Sequence, residues 1–336
     1  MSALHEAASV GAMPYGDDPW TERVEARLRD LFETDVQAFP VATGTAANAL
    51  ALSALCPPFG TVFCHPQSHA NVDECGAPEF FTGGAKLTLV DGPDARIDPA
   101  ALRSAIAAAR PHGVHNMPPA AVSITQATEA GAVYTGDEVD AIASIARSHG
   151  LSLHMDGARF ANALVALDCS PAEATWKRGV DVLSFGATKG GAMAAEAVIF
   201  FRDEYAAAFG ERRKRGGHLL SKLRFVSAQL DGYLTDEAWL RAARAANAGA
   251  RRLADGLAAL DGVELVRPAD ANMVFARMPL PVIDALEAQD HRFYRAGGDG
   301  TIRLVVAWST PDAEIDGFLG AVRTAVAAAR GDHAAA

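Results

Sequence analysis

Short apolar runs rich in β-branched and aromatic residues recur along the chain, each separated from the next by an Ala-rich stretch of helical texture. They are TVFCH (61–65), KLTLV (86–90), AAVSIT (120–125), LSLHMD (151–156), DVLSFG (181–186) and AVIFF (197–201). Runs this apolar suit strands covered on both faces, and the helices between them supply the crossovers. The pattern predicts an α/β fold, a mostly parallel sheet flanked by helices. From about residue 235 the texture changes to a long amphipathic helix, DEAWLRAARAANAGARRLADGLAAL, then VELVR, NMVFARM and IRLVVAW, and a final helix before the GDHAAA tail. This reads as a smaller α+β domain. The expected division is a large domain over 14–235 and a small C-terminal domain over 236–330, with residues 1–13 packing on the small one.

Charge and cysteine usage narrow the partners. The net charge is -11 over 336 residues, and the arginines are scattered apart from ERRKRGG at 211–217, which argues against a nucleic-acid face and for a small-molecule partner. There is no apolar run of about 18 residues, and the start MSALHEAASVGAMPYGDD lacks the order of a signal peptide, so a cytoplasmic protein away from membranes is expected. Cys56, Cys64, Cys75 and Cys169 have neither C-x-x-C spacing nor paired histidines. They are read as buried small side chains, and no metal site is indicated.

In open parallel sheets, ligands sit beyond the carboxyl ends of the strands, so the polar residues that follow each strand matter most. FPVATGTAANALALSAL (39–55) puts Thr43, Gly44 and Thr45 at a helix start, which suits an anion such as phosphate as well as an ordinary cap. LSLHMDGARFANAL ends a strand on Asp156, which could cap the next helix or hold a ring nitrogen protonated. SFGATKGGA (184–192) places Lys189 after the next strand among Gly186, Gly190 and Gly191, which leave space around its amine. The order is wrong for a P-loop, G-x-x-x-x-G-K-[ST]. A lone loop lysine is usually solvated. An acidic strand end, a lysine 33 residues later and an upstream anion-binding helix start together form the layout of a pyridoxal phosphate site.

The segments HMDGARFANAL, DVLSFGATKGGA, YGDDPWTERVEARL, ATGTAANALAL and IRLVVAW resemble the L-threonine aldolase family, pyridoxal 5'-phosphate enzymes of the aspartate aminotransferase fold, over nearly the whole chain. The resemblance implies cleavage of L-β-hydroxy-α-amino acids of the threonine, allo-threonine or phenylserine type to glycine and an aldehyde. Carried over by position, it implies that Lys189 carries the cofactor and Asp156 pairs with the pyridine nitrogen. Gly44 and Thr45 would bind phosphate, His69 in SHANVDECG would stack on the ring, and Arg159 and Arg303 would hold the substrate carboxylate. Lys214 falls where relatives have a basic residue near the phosphate. MPYGDDPWTERVE is similar to an interface segment of the family, which implies a homodimer or homotetramer.

Two departures from the family pattern stand out. Relatives carry an upstream segment like F-x-S-D-N, whereas MSALHEAASVG is expected to lie inside the helix that follows it. Many carry a histidine in a segment like E-N-T-H-N-G, where this chain reads TQATEAG (125–131), leaving Thr128, Glu129 or a water as proton acceptor at the β-hydroxyl. The rival readings are a β-eliminating lyase or an aminotransferase on the same fold, or a cofactor-binding protein with impaired catalysis.

Overall fold

A computed structural model describes residues 1–109 and 112–334. Seven strands form one sheet: β1 (Gln37–Val41), β2 (Thr61–Cys64), β3 (Lys86–Leu89), β4 (Pro119–Thr125), β5 (Ser152–Gly157), β6 (Val182–Gly186) and β7 (Glu196–Phe200). Their order is β1-β7-β6-β5-β4-β2-β3, and β7, antiparallel to both its neighbours, alone runs against the rest. The predicted mostly parallel sheet is what forms. Every residue of β2, β5, β6 and β7 is buried, as expected for strands with helices on both faces, whereas the edge strand β3 is largely open.

The apolar helix Gly44–Leu55 is the main element packed on this sheet, through Ala47, Leu50 and Leu52 against Val62, Val182, Val198 and Phe200. Thr43 starts it: its side chain accepts from the N–H of Ala46 at 3.2 Å, and its carbonyl takes the N–H of Ala47.

The chain divides into two compact units, Met1–Trp239 and Leu240–Ala336. Residues 1–13 differ from expectation. The helix Ser2–Ser9 belongs to the first unit, where Ala7 is buried with Trp20 and Ala228, and Arg224 donates to the Ala7 carbonyl at 3.0 Å. It packs against the helices Pro19–Phe32 and Arg224–Leu234, which Arg23 and Arg27 on Asp231 hold together.

The second unit carries a four-stranded antiparallel sheet, β8 (Glu264–Leu265), β9 (Met273–Arg277), β10 (Tyr294–Arg295) and β11 (Thr301–Val305), in the order β10-β11-β9-β8. Its core joins Leu253 and Leu257 of the helix Ala238–Ala258 to Val274, Ile302, Ile315 and Val322. The last helix, Asp312–Ala334, continues into the expected tail, whose final two residues lie outside the described range. Among the described residues no helix is long and apolar enough to cross a membrane.

Candidate active site

Five strands deliver polar residues at their carboxyl ends. Gly44 and Thr45 follow β1, His69 follows β2, Glu129 follows β4, Asp156 and Arg159 lie at and after the end of β5, and Lys189 follows β6. Parallel registry lines these ends up, with Thr125 beside Asp156 and Asp156 beside Ser184. The convergence therefore follows from sheet topology.

Asp156 is buried, and both of its oxygens are held. Oδ1 accepts from the N–H of Ala158 at 2.9 Å and Oδ2 from Asn48 Nδ2 at 2.8 Å. Asn48 Nδ2 also donates to Glu74 Oε1 at 2.8 Å, and that oxygen lies 2.8 Å from His69 Nδ1. The His69 imidazole is raised above its ordinary value, foremost by this hydrogen bond and against the effect of burial; the charge of Asp156 raises it further and that of Lys189 opposes. Glu74 is raised as well, by burial outweighing its hydrogen bonds, so the pair keeps its shared proton to higher pH than separate groups would. Asp156, His69 and Lys189 thus lie within electrostatic reach of one another.

Glu129 accepts the backbone N–H of His69 on Oε1 at 2.7 Å, while its Oε2 is enclosed without a hydrogen-bond partner. Burial, with Asp156 adding to it, pushes its carboxyl up to about 7. Thr128 is spoken for: its hydroxyl donates to the Asp94 carbonyl at 2.9 Å and accepts from the N–H of Ala132 at 3.0 Å. Beneath Asp156, the fully buried His154 lies between Ser123 and Ser184, both at 2.9 Å, and burial lowers it to about 4, so it is neutral at physiological pH.

Lys189 is exposed on a short turn, Thr188–Gly190, between β6 and the antiparallel β7. Glu196 pins that turn by accepting the N–H of Ala187 at 2.8 Å, and the Thr188 hydroxyl accepts from Ala195 at 3.2 Å. Two of the glycines also serve the packing of the turn. A Cβ on Gly186 would stand 2.7 Å from Ala158 Cα, and one on Gly190 would stand 2.2 Å from the Tyr233 hydroxyl, so both permit close packing of the turn.

The remaining predicted residues are placed as follows. Arg159 is half-buried at the start of the helix Phe160–Leu167. Lys214 sits 4.7 Å from the centroid of the Tyr15 ring. Arg303 belongs to the second unit, on β11, with Nη2 3.5 Å from Met273 Sδ, its guanidinium 5.8 Å from the Tyr294 ring and Nε buried without a partner. It lines a cavity of about 480 Å³ with His291, Phe293, Tyr294 and Phe318.

Three contributors were not anticipated: Asn48, Glu74 and His218, whose Nδ1 accepts from the N–H of Ala42 just ahead of Thr43 at 3.3 Å. The only signals for the first two were spacings, four residues from Gly44 to Asn48 on one helix face and five from His69 to Glu74. The cysteines are corrected in part: Cys56 and Cys64 are buried, with thiols raised to about 11 by burial, but Cys75 is exposed and Cys169 half-buried because both lie in loops. Among the described residues no cluster of three or more His, Cys, Asp or Glu could hold a metal.

A helix start, a clamped buried aspartate and a pinned lysine turn at the strand ends of one sheet agree with what the chain is similar to. The profile of the β-eliminating lyase family matches residues 1–280, and the chain belongs to that family. More closely, it is 47% identical over 92% of its length to a low-specificity L-threonine aldolase of Pseudomonas aeruginosa, covering 89% of that protein. It is 44% identical over 97% to a second such aldolase from a Pseudomonas species, covering 94% of it. A solved threonine aldolase structure from Leishmania major superposes with a TM-score of 0.88 at 28% identity, covering 96% of this chain and 95% of that one. The chain is a lyase of the threonine aldolase group.

Proposed function

We propose that the protein is a pyridoxal 5'-phosphate-dependent aldolase that cleaves L-β-hydroxy-α-amino acids to glycine and an aldehyde. The observation that carries this reading is geometric: Asp156 is joined to His69 through Asn48 and Glu74 and pairs beside Ser184 of the strand that the Lys189 turn follows. The donor set fits the cofactor. A helix start leaves the N–H groups of Gly44 and Thr45 without intrahelical acceptors, and the space where a Gly44 Cβ would stand is open, which suits a phosphate. Asp156, fixed through both oxygens, is suited to hold a protonated pyridine nitrogen, and the Lys189 amine to hold the aldehyde carbon.

When bound, the cofactor supplies an electron-withdrawing ring that accepts the electron pair of a bond broken at the substrate Cα. The chain's own residues do the rest. Asp156 keeps the nitrogen end charged. Arg159 and Arg303 fix the substrate carboxylate, which decides which Cα bond is aligned to break. His69, its imidazole oriented by the hydrogen bond between Nδ1 and Glu74, caps one face of the ring. With Thr128 held in its turn, Glu129 or a water takes the β-hydroxyl proton. The active unit is a homodimer or homotetramer in the cytoplasm; full activity of a monomer at nanomolar concentration would contradict the first point.

Purified protein supplied with the cofactor should release aldehyde and glycine from threonine, allo-threonine or phenylserine. Formation of ammonia and a keto acid instead would move it to the eliminating or transaminating chemistry of the same fold, and bound cofactor without turnover would mark an impaired enzyme.

A further inference from the structure

We propose that Asn48 and Glu74 are positioning residues, linking the imidazole of His69 to the carboxylate of Asp156 so that the two groups facing the cofactor ring are oriented as one unit. The proposal rests on the cofactor-dependent reading above for what the unit serves, but the unit itself is a property of the chain.

One amide nitrogen makes the link. Asn48 Nδ2 reaches Asp156 Oδ2 and Glu74 Oε1, each at 2.8 Å, and Glu74 Oε1 meets His69 Nδ1 at 2.8 Å. An ionised carboxylate only accepts, so the amide has one tenable orientation: reversed, its oxygen would face two acceptors. The orientation strands Asn48 Oδ1, and Glu74 Oε2 is also buried without a partner. Asn48 is 2% exposed and Glu74 4%, so bulk water does not share the bonds of either side chain. Two unmet polar atoms are a cost that a core built for stability alone would avoid, and the geometry they accompany is what the arrangement preserves.

The consequences run in both directions. Glu74 accepts from His69 Nδ1, which leaves Nε2 as the imidazole's outward nitrogen and favours the protonated ring. The charged groups around His69 are Glu74, Asp156 and Lys189, with Glu129 on its backbone N–H. Asn48 lies one turn beyond Gly44, so the helix whose start is suited to phosphate also holds the carboxylate suited to the ring nitrogen. A single rigid element would thereby set both ends of the cofactor.

The test is an NMR titration of the His69 Cε1 proton in cofactor-free protein, assigned with His69→Gln, in wild type, Glu74→Gln, Glu74→Asp and Asn48→Ala. His69 in the wild type should titrate above an ordinary histidine, Glu74→Gln should lower it by about one unit or more, and Glu74→Asp should restore it in part. In loaded enzyme, Asn48→Ala should lower kcat about 10- to 100-fold with KM little changed, as for outer residues that orient a reacting group. Ordinary titration of wild-type His69 overturns the proposal without any variant, even if Glu74→Gln fails to fold. Unchanged His69 titration in folded Glu74→Gln overturns it too, as does unchanged kcat in Asn48→Ala. Absence of aldehyde release from the wild type, with the His69 shifts intact, would instead strike the functional reading and leave the linked unit standing.

Discussion

Both units carry arginine–carboxylate pairs, but among the described residues only the first also buries acids. In Met1–Trp239 the carboxylates that matter are buried and bonded mainly to neutral donors or to histidine: Glu74 to Asn48 and His69, Glu129 to a backbone N–H, Glu196 to another. Burial raises all three. In Leu240–Ala336 the carboxylates are on the surface and paired with arginine, as in Arg295 on Asp284 and Glu287 or the two-pronged Arg252 on Asp316, and Glu287 is lowered by Arg295. Buried acids in neutral company hold their protons to higher pH than exposed ones, whereas exposed pairs stay ionised and contribute little to stability. The difference marks where the chemistry is built.

The severest test of that contrast is Lys189→Ala. It should leave a folded protein whose turnover has fallen by more than about a thousandfold. Borohydride reduction of the cofactor-loaded wild type, followed by peptide mapping, should label Lys189, and a label on any other lysine would break the assignment. Next in size is Arg303→Ala, an arginine of the second unit that contacts Met273 and Tyr294 rather than surface carboxylates. Loss of a two-pronged carboxylate anchor should raise KM and lower kcat/KM by about 30- to 1,000-fold, or about 2–4 kcal/mol. Unchanged kinetics would return Arg303 to a packing role.

Glu129→Gln should act on stability. Its folded value of about 7 lies above the unfolded 4.5, so its contribution is fully present below pH 4.5 and is lost as pH rises through about 7. Denaturant titrations should show the wild type losing up to about 3 kcal/mol more than the variant between pH 4.5 and 8. Parallel pH profiles would mean that Glu129 ionises freely. The smallest effect belongs to Arg252→Ala, which should move the melting temperature by no more than about 2 °C. A larger shift would show that the surface pairs matter more than the contrast allows.

Much of this was open to reading from the chain. The six apolar runs all became strands of the first sheet: burial on both faces leaves a strong local pattern in the central strands, and the largely open edge strand β3 forms beside them. β1 was not read as a strand: five residues long, with Pro40 inside it, it pairs only along one side, with β7. Asp156 and Lys189 are legible because one lies at the end of its strand and the other in the turn just after the next. Asn48 was not, since an Asn among Ala and Leu looks like any helical position, and its partners lie 26 and 108 residues away.

The chain by itself determined which residue types stand at the ends of which strands, because strand and helix signals are local and topology then brings carboxyl ends together. What the tertiary structure decided was which of those residues share protons. That depends on burial and on distances of 2.7–2.8 Å between side chains and backbone groups far apart in sequence, as between Glu129 and His69 or Asn48 and Asp156. Desolvation and hydrogen bonding fall off within a few ångströms, so no linear pattern encodes them. For that reason Glu129 could be named as one of several proton acceptors, while its carboxyl near neutrality and the commitment of Thr128 to its turn emerged only from the packed molecule.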